Sequence, residues 1–142
     1  MQYICDGVGS NTWFRLETAA EATAESRDMS HAVEKYFAQA LDQATKSYVP
    51  PPSMRVFEQN IGLKAHIQKV MPLFLTLRNN EGKGLATAML APGGRDEKGF
   101  RPIIVGPGNA DPYVDYAADI RKLGQHFKIA LDPARCFPYR RD

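Results

Sequence analysis

The strongest constraint on this chain lies between Leu73 and Ala91. Leu73, Leu75 and Leu77 alternate with Phe74, Thr76 and Arg78. The turn formers Asn79-Asn80-Glu81-Gly82-Lys83-Gly84 follow, and alternation resumes with Leu85, Thr87 and Met89 against Ala86, Ala88 and Leu90. A period of two on both sides of a Gly- and Asn-rich turn predicts an antiparallel hairpin. An apolar hairpin must bury its surface against another layer, so the remaining elements are read as what covers or extends it.

Upstream, Gln2–Asp6 and Thr12–Glu17 read as two short strands joined by the turn Gly7-Val8-Gly9-Ser10-Asn11. Thr18-Ala19-Ala20-Glu21 has the form of a capping box, which predicts a helix start. The helical pattern runs toward Tyr48, with a break or bend expected near Arg27–Ser30, where Ser30 is suited to cap a second helix. Pro50-Pro51-Pro52 marks a rigid connector over 49–53. A further helix is expected at Val56–Met71, stopped by Pro72.

Downstream of the hairpin, Phe100–Val105 reads as a strand whose Pro102 implies an edge position or the strand's start. Asp111-Pro112 opens a helix with Asp at the cap and Pro in the first turn. Tyr113, Tyr116, Ala117, Ile120, Leu123 and Phe127 form its apolar stripe. Gly124 is a candidate early stop, and Phe127–Leu131 a candidate last short strand.

The order is ββ-α(α)-α-βββ-α in one domain spanning 1–142. Without repeated strand–helix–strand units it argues for an α+β fold: an antiparallel sheet of about five strands with helices on one face. At the level of pattern alone this order is compatible with PAS-like and profilin-like sheets, and folds of that kind host many functions.

Charge excludes little. Eighteen Lys/Arg against sixteen Asp/Glu leave +2, too small to require nucleic acid or an acidic membrane. Residues 1–60 hold five basic and eight acidic residues, net −3, and residues 61–142 hold thirteen and eight, net +5. The basic half, with Phe127, Lys128, Arg135, Phe137, Tyr139, Arg140 and Arg141, would suit a single-stranded nucleic acid; packing of those rings on the core is the preferred reading. The longest nearly apolar stretch, Val70 to Leu77, is broken by Pro72 and Thr76 and is far short of a membrane span. No basic, then apolar leader opens the chain, and Cys5 and Cys136 lie outside any CxxC or Cys/His cluster. Reduced thiols in a cytoplasm are the default.

Two loops are candidate binding sites. Gly93–Arg101 carries Arg95 and Arg101, whose guanidinium groups suit a carboxylate or phosphate. Gly106-Pro107-Gly108-Asn109-Ala110 joins a strand to a helix start, a place where backbone N–H groups can hold an anion. Neither loop is a P-loop or a GxGxxG, and Asp111 would repel phosphate. Arg95, Arg101, Gly106, Gly108 and Asn109 are the resulting site residues. His31 and His66 fall on helical stretches. Asp115, Asp119, Lys122 and His126 share one helix face, read as a solvated, salt-bridged surface. No metal, cofactor or catalytic signature is expected. A non-catalytic ligand-binding or protein-interaction module leads. A small enzyme or nucleotide- or anion-binding protein using loops 93–101 and 106–111 comes second, and a nucleic-acid binder third. A homodimer through Met29, Val33, Tyr36, Phe37 and Leu41 is the one partner proposed from the pattern.

Overall fold

A computed structural model describes residues 1–137. The elements are β1 (Gln2–Asp6), β2 (Thr12–Arg15), α1 (Ala19–Met29), α2 (Val33–Lys46), α3 (Val56–Val70), β3 (Leu73–Arg78), β4 (Gly84–Leu90), β5 (Ile103–Val105) and α4 (Tyr113–Phe127). The five strands form one antiparallel sheet in the order β1-β2-β3-β4-β5. The sheet is a plain meander, with α1–α3 inserted between its second and third strands. The α+β fold expected from the pattern is present.

Local chemistry sets the boundaries. The Thr18 hydroxyl accepts from the Glu21 amide at 3.1 Å, and Glu21 Oε1 accepts from the Thr18 amide at 3.2 Å, so the capping box is complete. The break near Ser30 is a left-handed residue at φ 55, which turns the chain and separates α1 from α2. Pro102 sits immediately before β5, which lies at the sheet's edge. Asp111 Oδ1 accepts from the Tyr113 amide at 2.9 Å, although the helix begins at Tyr113 with Pro112 as its flanking residue, one position later than expected.

The helices differ from expectation in one respect: they cover both faces of the sheet. In register, Leu77, Leu75 and Leu73 lie opposite Ala86, Ala88 and Leu90. These residues join Trp13, Ile104, Ile120 and Leu123 in one core cluster, under α4. The alternate residue Phe74 joins Leu16, Ala22, Phe37, Ala44 and Met71 in a second cluster, under α1–α3. Every residue from Leu73 to Leu77 is buried as a result. The second cluster also uses the helix face proposed for dimerisation. Met29 and Phe37 are 1% and 3% exposed, Val33 and Leu41 pack against the second cluster, and only Tyr36 stands out at 55%. That face covers the sheet of its own chain.

Three smaller expectations change near the C-terminal end. No strand forms at Phe127–Leu131: α4 continues to Phe127, and Lys128 ends it in the left-handed region. Gly124 is therefore inside the helix, where a Cβ would stand 2.8 Å from the Ile129 carbonyl oxygen. It is needed so that the returning chain can pass close to α4. Asp119 is not solvated. It is 3% exposed, its carboxylate accepts from the Val8 amide at 2.6 Å, and its carbonyl accepts from Trp13 Nε1 at 2.9 Å. Lys122 donates to the Gly7 carbonyl at 3.1 Å. Two members of the supposed surface stripe thus tie α4 to the β1–β2 turn. The aromatic and basic residues Tyr139, Arg140 and Arg141 lie outside the described residues.

Candidate functional site

The layer of helices over the second face does not reach the whole sheet. α2 covers Phe74 through Phe37, whose ring centroid lies 5.1 Å from that of Phe74, and leaves the β4–β5 corner open. The result is a cleft of about 310 Å³. Ala32, Val33 and Tyr36 of the α1–α2 corner form one wall, Met89 and Phe74 the floor, and Ile103 and Val105 of the edge strand the far side. Its residues are apolar except at three places: His31 with Thr87 at the inner end, Asn109 beside the edge strand, and the phenol of Tyr36.

The inner end is the visible part of a buried network. Arg78 Nη2 donates to Glu25 Oε1 at 2.6 Å, Thr87 Oγ1 donates to Glu25 Oε2 at 2.5 Å, and His31 Nε2 lies 2.8 Å from Thr87 Oγ1. Glu25 is fully buried and Thr87 is 3% exposed. The direction of these bonds follows from proton counting. A carboxylate paired with arginine only accepts, so the single hydroxyl proton of Thr87 points at Glu25. His31 Nε2 must then carry a proton and donate. The other ring nitrogen, Nδ1, accepts from the Val33 amide at 3.4 Å. His31 is thereby fixed as the neutral Nε2–H tautomer. Burial holds its imidazole below the ordinary value, against the pull of Glu25 and Glu34. Although the sequence pattern places His31 on a helix, it sits in the bend between α1 and α2.

This order of protons decides what the cluster can do. An imidazole that donates to a hydroxyl cannot also remove that hydroxyl's proton, so His31 does not activate Thr87 as a nucleophile. The cysteines are no better placed. Burial pushes the Cys5 thiol up to about 11, and burial likewise raises Cys136. Both are free thiols, held protonated near neutral pH and so poor nucleophiles. Among the described residues, no group of three or more His, Cys, Asp or Glu side chains is arranged to hold a metal ion. No helix among them is long and apolar enough to cross a membrane.

The five candidates from the two loops separate in space. Arg95 reaches outward, with its Nη2 3.8 Å from Glu97 Oε1 on the same loop. Arg101 donates to the carbonyls of Ala134 and Arg135 at 3.0 and 3.3 Å, and Arg135 pairs with Asp96 at 2.6 Å. The Gly93–Arg101 loop therefore clasps the C-terminal segment, which continues along the outer edge of β5: Phe137 donates to the Pro102 carbonyl at 2.8 Å. In the other loop, the Gly106 amide donates to the Ala110 carbonyl, and the Asn109 amide donates back to Gly106. Gly108 has φ 65 and Asn109 φ 61, the left-handed conformations this tight turn requires. Of the five, Asn109 alone lines the cleft. Its side-chain amide bonds to none of the described residues.

The sequence pattern missed the cleft because its walls come from five separated stretches, around residues 31–36, 74, 87–89, 103–109 and 137. One signal was available: Thr76 and Thr87 are polar residues in otherwise apolar strands, and a buried hydroxyl needs a partner.

Comparison with protein-family models, with curated proteins and with solved structures finds no match to this chain.

Proposed function

We propose that the protein is a non-catalytic binding module that takes a small, uncharged, largely apolar molecule in the cleft between α2 and β5. The observation that carries this reading is the apolar β4–β5 corner left open where α2 stops, with its inner polar groups already bonded to one another. Ligand sites are commonly apolar concavities of about 300–1,000 Å³ with a few placed polar groups. No Lys, Arg, Asp or Glu lines this one. The start of α2 offers no anion site either. Its Val33, Glu34 and Lys35 amides already donate to His31 Nδ1, Ser26 Oγ and the Ala32 carbonyl. The Asn109 amide and the Tyr36 hydroxyl are the groups that remain to orient a ligand's carbonyl or hydroxyl.

The anion-binding alternative has less support, since Arg101 is engaged with the C-terminal segment and the Gly106, Asn109 and Ala110 amides bond within their own turn. A pair of dyes tests the choice. Phenylnaphthylamine is neutral, and anilinonaphthalene sulfonate is its anionic relative. The neutral dye should bind several-fold more tightly, and Ile103→Trp, which fills the cleft, should abolish its fluorescence gain. Equal binding of the two dyes, or full binding by the Ile103→Trp protein, would overturn the reading.

A further inference from the structure

The cleft and the α1–α2 corner share one titratable side chain. His31 lines the cleft, and its Nδ1 holds the Val33 amide in the first turn of α2, whose Val33 and Tyr36 form a wall of the same cleft. We propose that His31 is a proton-operated latch on the cleft: neutral, it holds α2 against the β4–β5 corner; protonated, it releases that wall and weakens ligand binding. The inference rests on the cleft being the binding site.

The chemistry is a change from acceptor to donor. Neutral His31 accepts from Val33 N–H at Nδ1 and donates from Nε2 to Thr87. An imidazolium has two donors and no acceptor. Protonation at Nδ1 therefore sets an N–H against the Val33 N–H, and one must move. The Nε2 side cannot absorb the change, because Thr87 is locked by its own bond to Glu25 and Glu25 by Arg78.

The charged groups around His31 set the direction of motion. From α1, Glu25 exerts the larger pull on a positive ring, across Thr87, and is itself paired with Arg78 of β3. From α2, Glu34 attracts a positive ring and belongs to the turn that must shift. The residues that β4, β5 and the following turn bring to the cleft, Thr87, Met89, Ile103, Val105 and Asn109, carry no charge. A protonated ring is thus held toward Thr87 and Glu25, and the first turn of α2, which carries the Val33 amide, is the part that gives way. Burial keeps His31 neutral under ordinary conditions, so the latch is shut near neutral pH and opens on acidification.

Proton and nitrogen NMR of the full chain, titrated from about pH 8 to about pH 5, reads the latch without any ligand. His31 should show the Nε2–H tautomer at the start. The Val33 and Tyr36 amides should shift with the same midpoint as the imidazole. His31→Gln, which keeps a donor toward Thr87, should abolish that coupled shift. In parallel, phenylnaphthylamine affinity should fall about tenfold through the same midpoint in the wild type and change less than about twofold in His31→Gln. Val33 and Tyr36 amides that ignore the His31 titration, or an equal loss of affinity in both proteins, would overturn the latch. Failure of the dye to bind at any pH would instead refute the cleft as binding site, while the amide titration still judges the latch.

Discussion

On the α4 side of the sheet, leucines 73, 75, 77 and 90 meet Trp13, Ile120 and Leu123, all at or below 5% exposure. On the α1–α3 side, the same two central strands present Phe74, Thr76, Thr87 and Met89. They face a buried ion pair, a histidine and an open corner. One strand pair thus carries two different environments, because its side chains alternate between faces. The first environment is apolar and stabilises the fold, with a concavity of about 620 Å³ between α4 and residues 128–133 at its rim. The second places polar groups at a cost in desolvation and leaves unfilled surface. That combination is what a binding face needs and a purely structural face avoids.

The largest expected effect tests the first environment. Trp13→Ala should cost about 3–5 kcal/mol in chemical denaturation, the usual range for emptying a buried aromatic site. The half-buried cleft residue Val33→Ala should cost about 1 kcal/mol. Similar losses at both positions would erase the distinction between the faces.

Nearly as large is the ion pair. Glu25 is fully buried and Arg78 is its only salt-bridge partner among the described residues. Arg78→Met should cost about 3–5 kcal/mol, because it leaves a buried carboxylate uncompensated. Combining it with Glu25→Leu should recover much of that loss in a double-mutant cycle. A double variant as unstable as Arg78→Met alone would mean that the pair matters through packing rather than charge.

Smaller again is a contrast between two glycines with the same backbone conformation. Gly94 and Gly108 have φ 70 and 65. A Cβ on Gly94 would meet the Phe127 ring, whereas one on Gly108 would meet nothing within 4 Å. Gly94→Ala should cost about 1–3 kcal/mol from steric overlap, added to the left-handed strain that Gly108→Ala shares. Equal costs would mean that the α4 side is less tightly packed than its burial implies.

The smallest effect is the pH dependence of stability. Burial lowers the His31 pKa in the folded chain, so below the unfolded value of about 6.5 the unfolded chain binds the extra proton first. This contribution is fully present above that value and is lost as pH falls toward the folded pKa. His31→Gln should therefore lose less stability than the wild type between about pH 7 and pH 5 in thermal melts. Parallel curves for the two proteins would remove His31 from the pH response.

Much of this architecture was legible in local patterns. The alternation around Asn79–Gly84, the capping box at Thr18–Glu21 and the Asp111-Pro112 start depend on residues within a few positions of one another, and each appears in the fold. What stayed hidden depends on distant pairing. Glu25 and Thr87 are 62 positions apart, and nothing within a few positions of either names the other as its partner. The alternation of Phe74 and Thr76 with the leucines does not show that α1–α3 fold back over them. Asp119 looks like one more surface carboxylate until the Gly7–Asn11 turn, more than a hundred residues earlier, is brought to it. Of the site, Asn109, Val33 and Tyr36 were picked out in advance, and for different reasons: Asn109 as part of a candidate anion loop, Val33 and Tyr36 as part of a candidate dimer face.

The division between a structural face and a binding face is tested most directly by mapping phenylnaphthylamine onto the assigned amide spectrum of the wild-type protein at neutral pH. Saturable shifts are expected at Val33, Tyr36, Thr87, Met89, Ile103 and Asn109, with Ile120 and Leu123 of α4 unmoved. Shifts centred on α4, or none along β4 and β5, would contradict it.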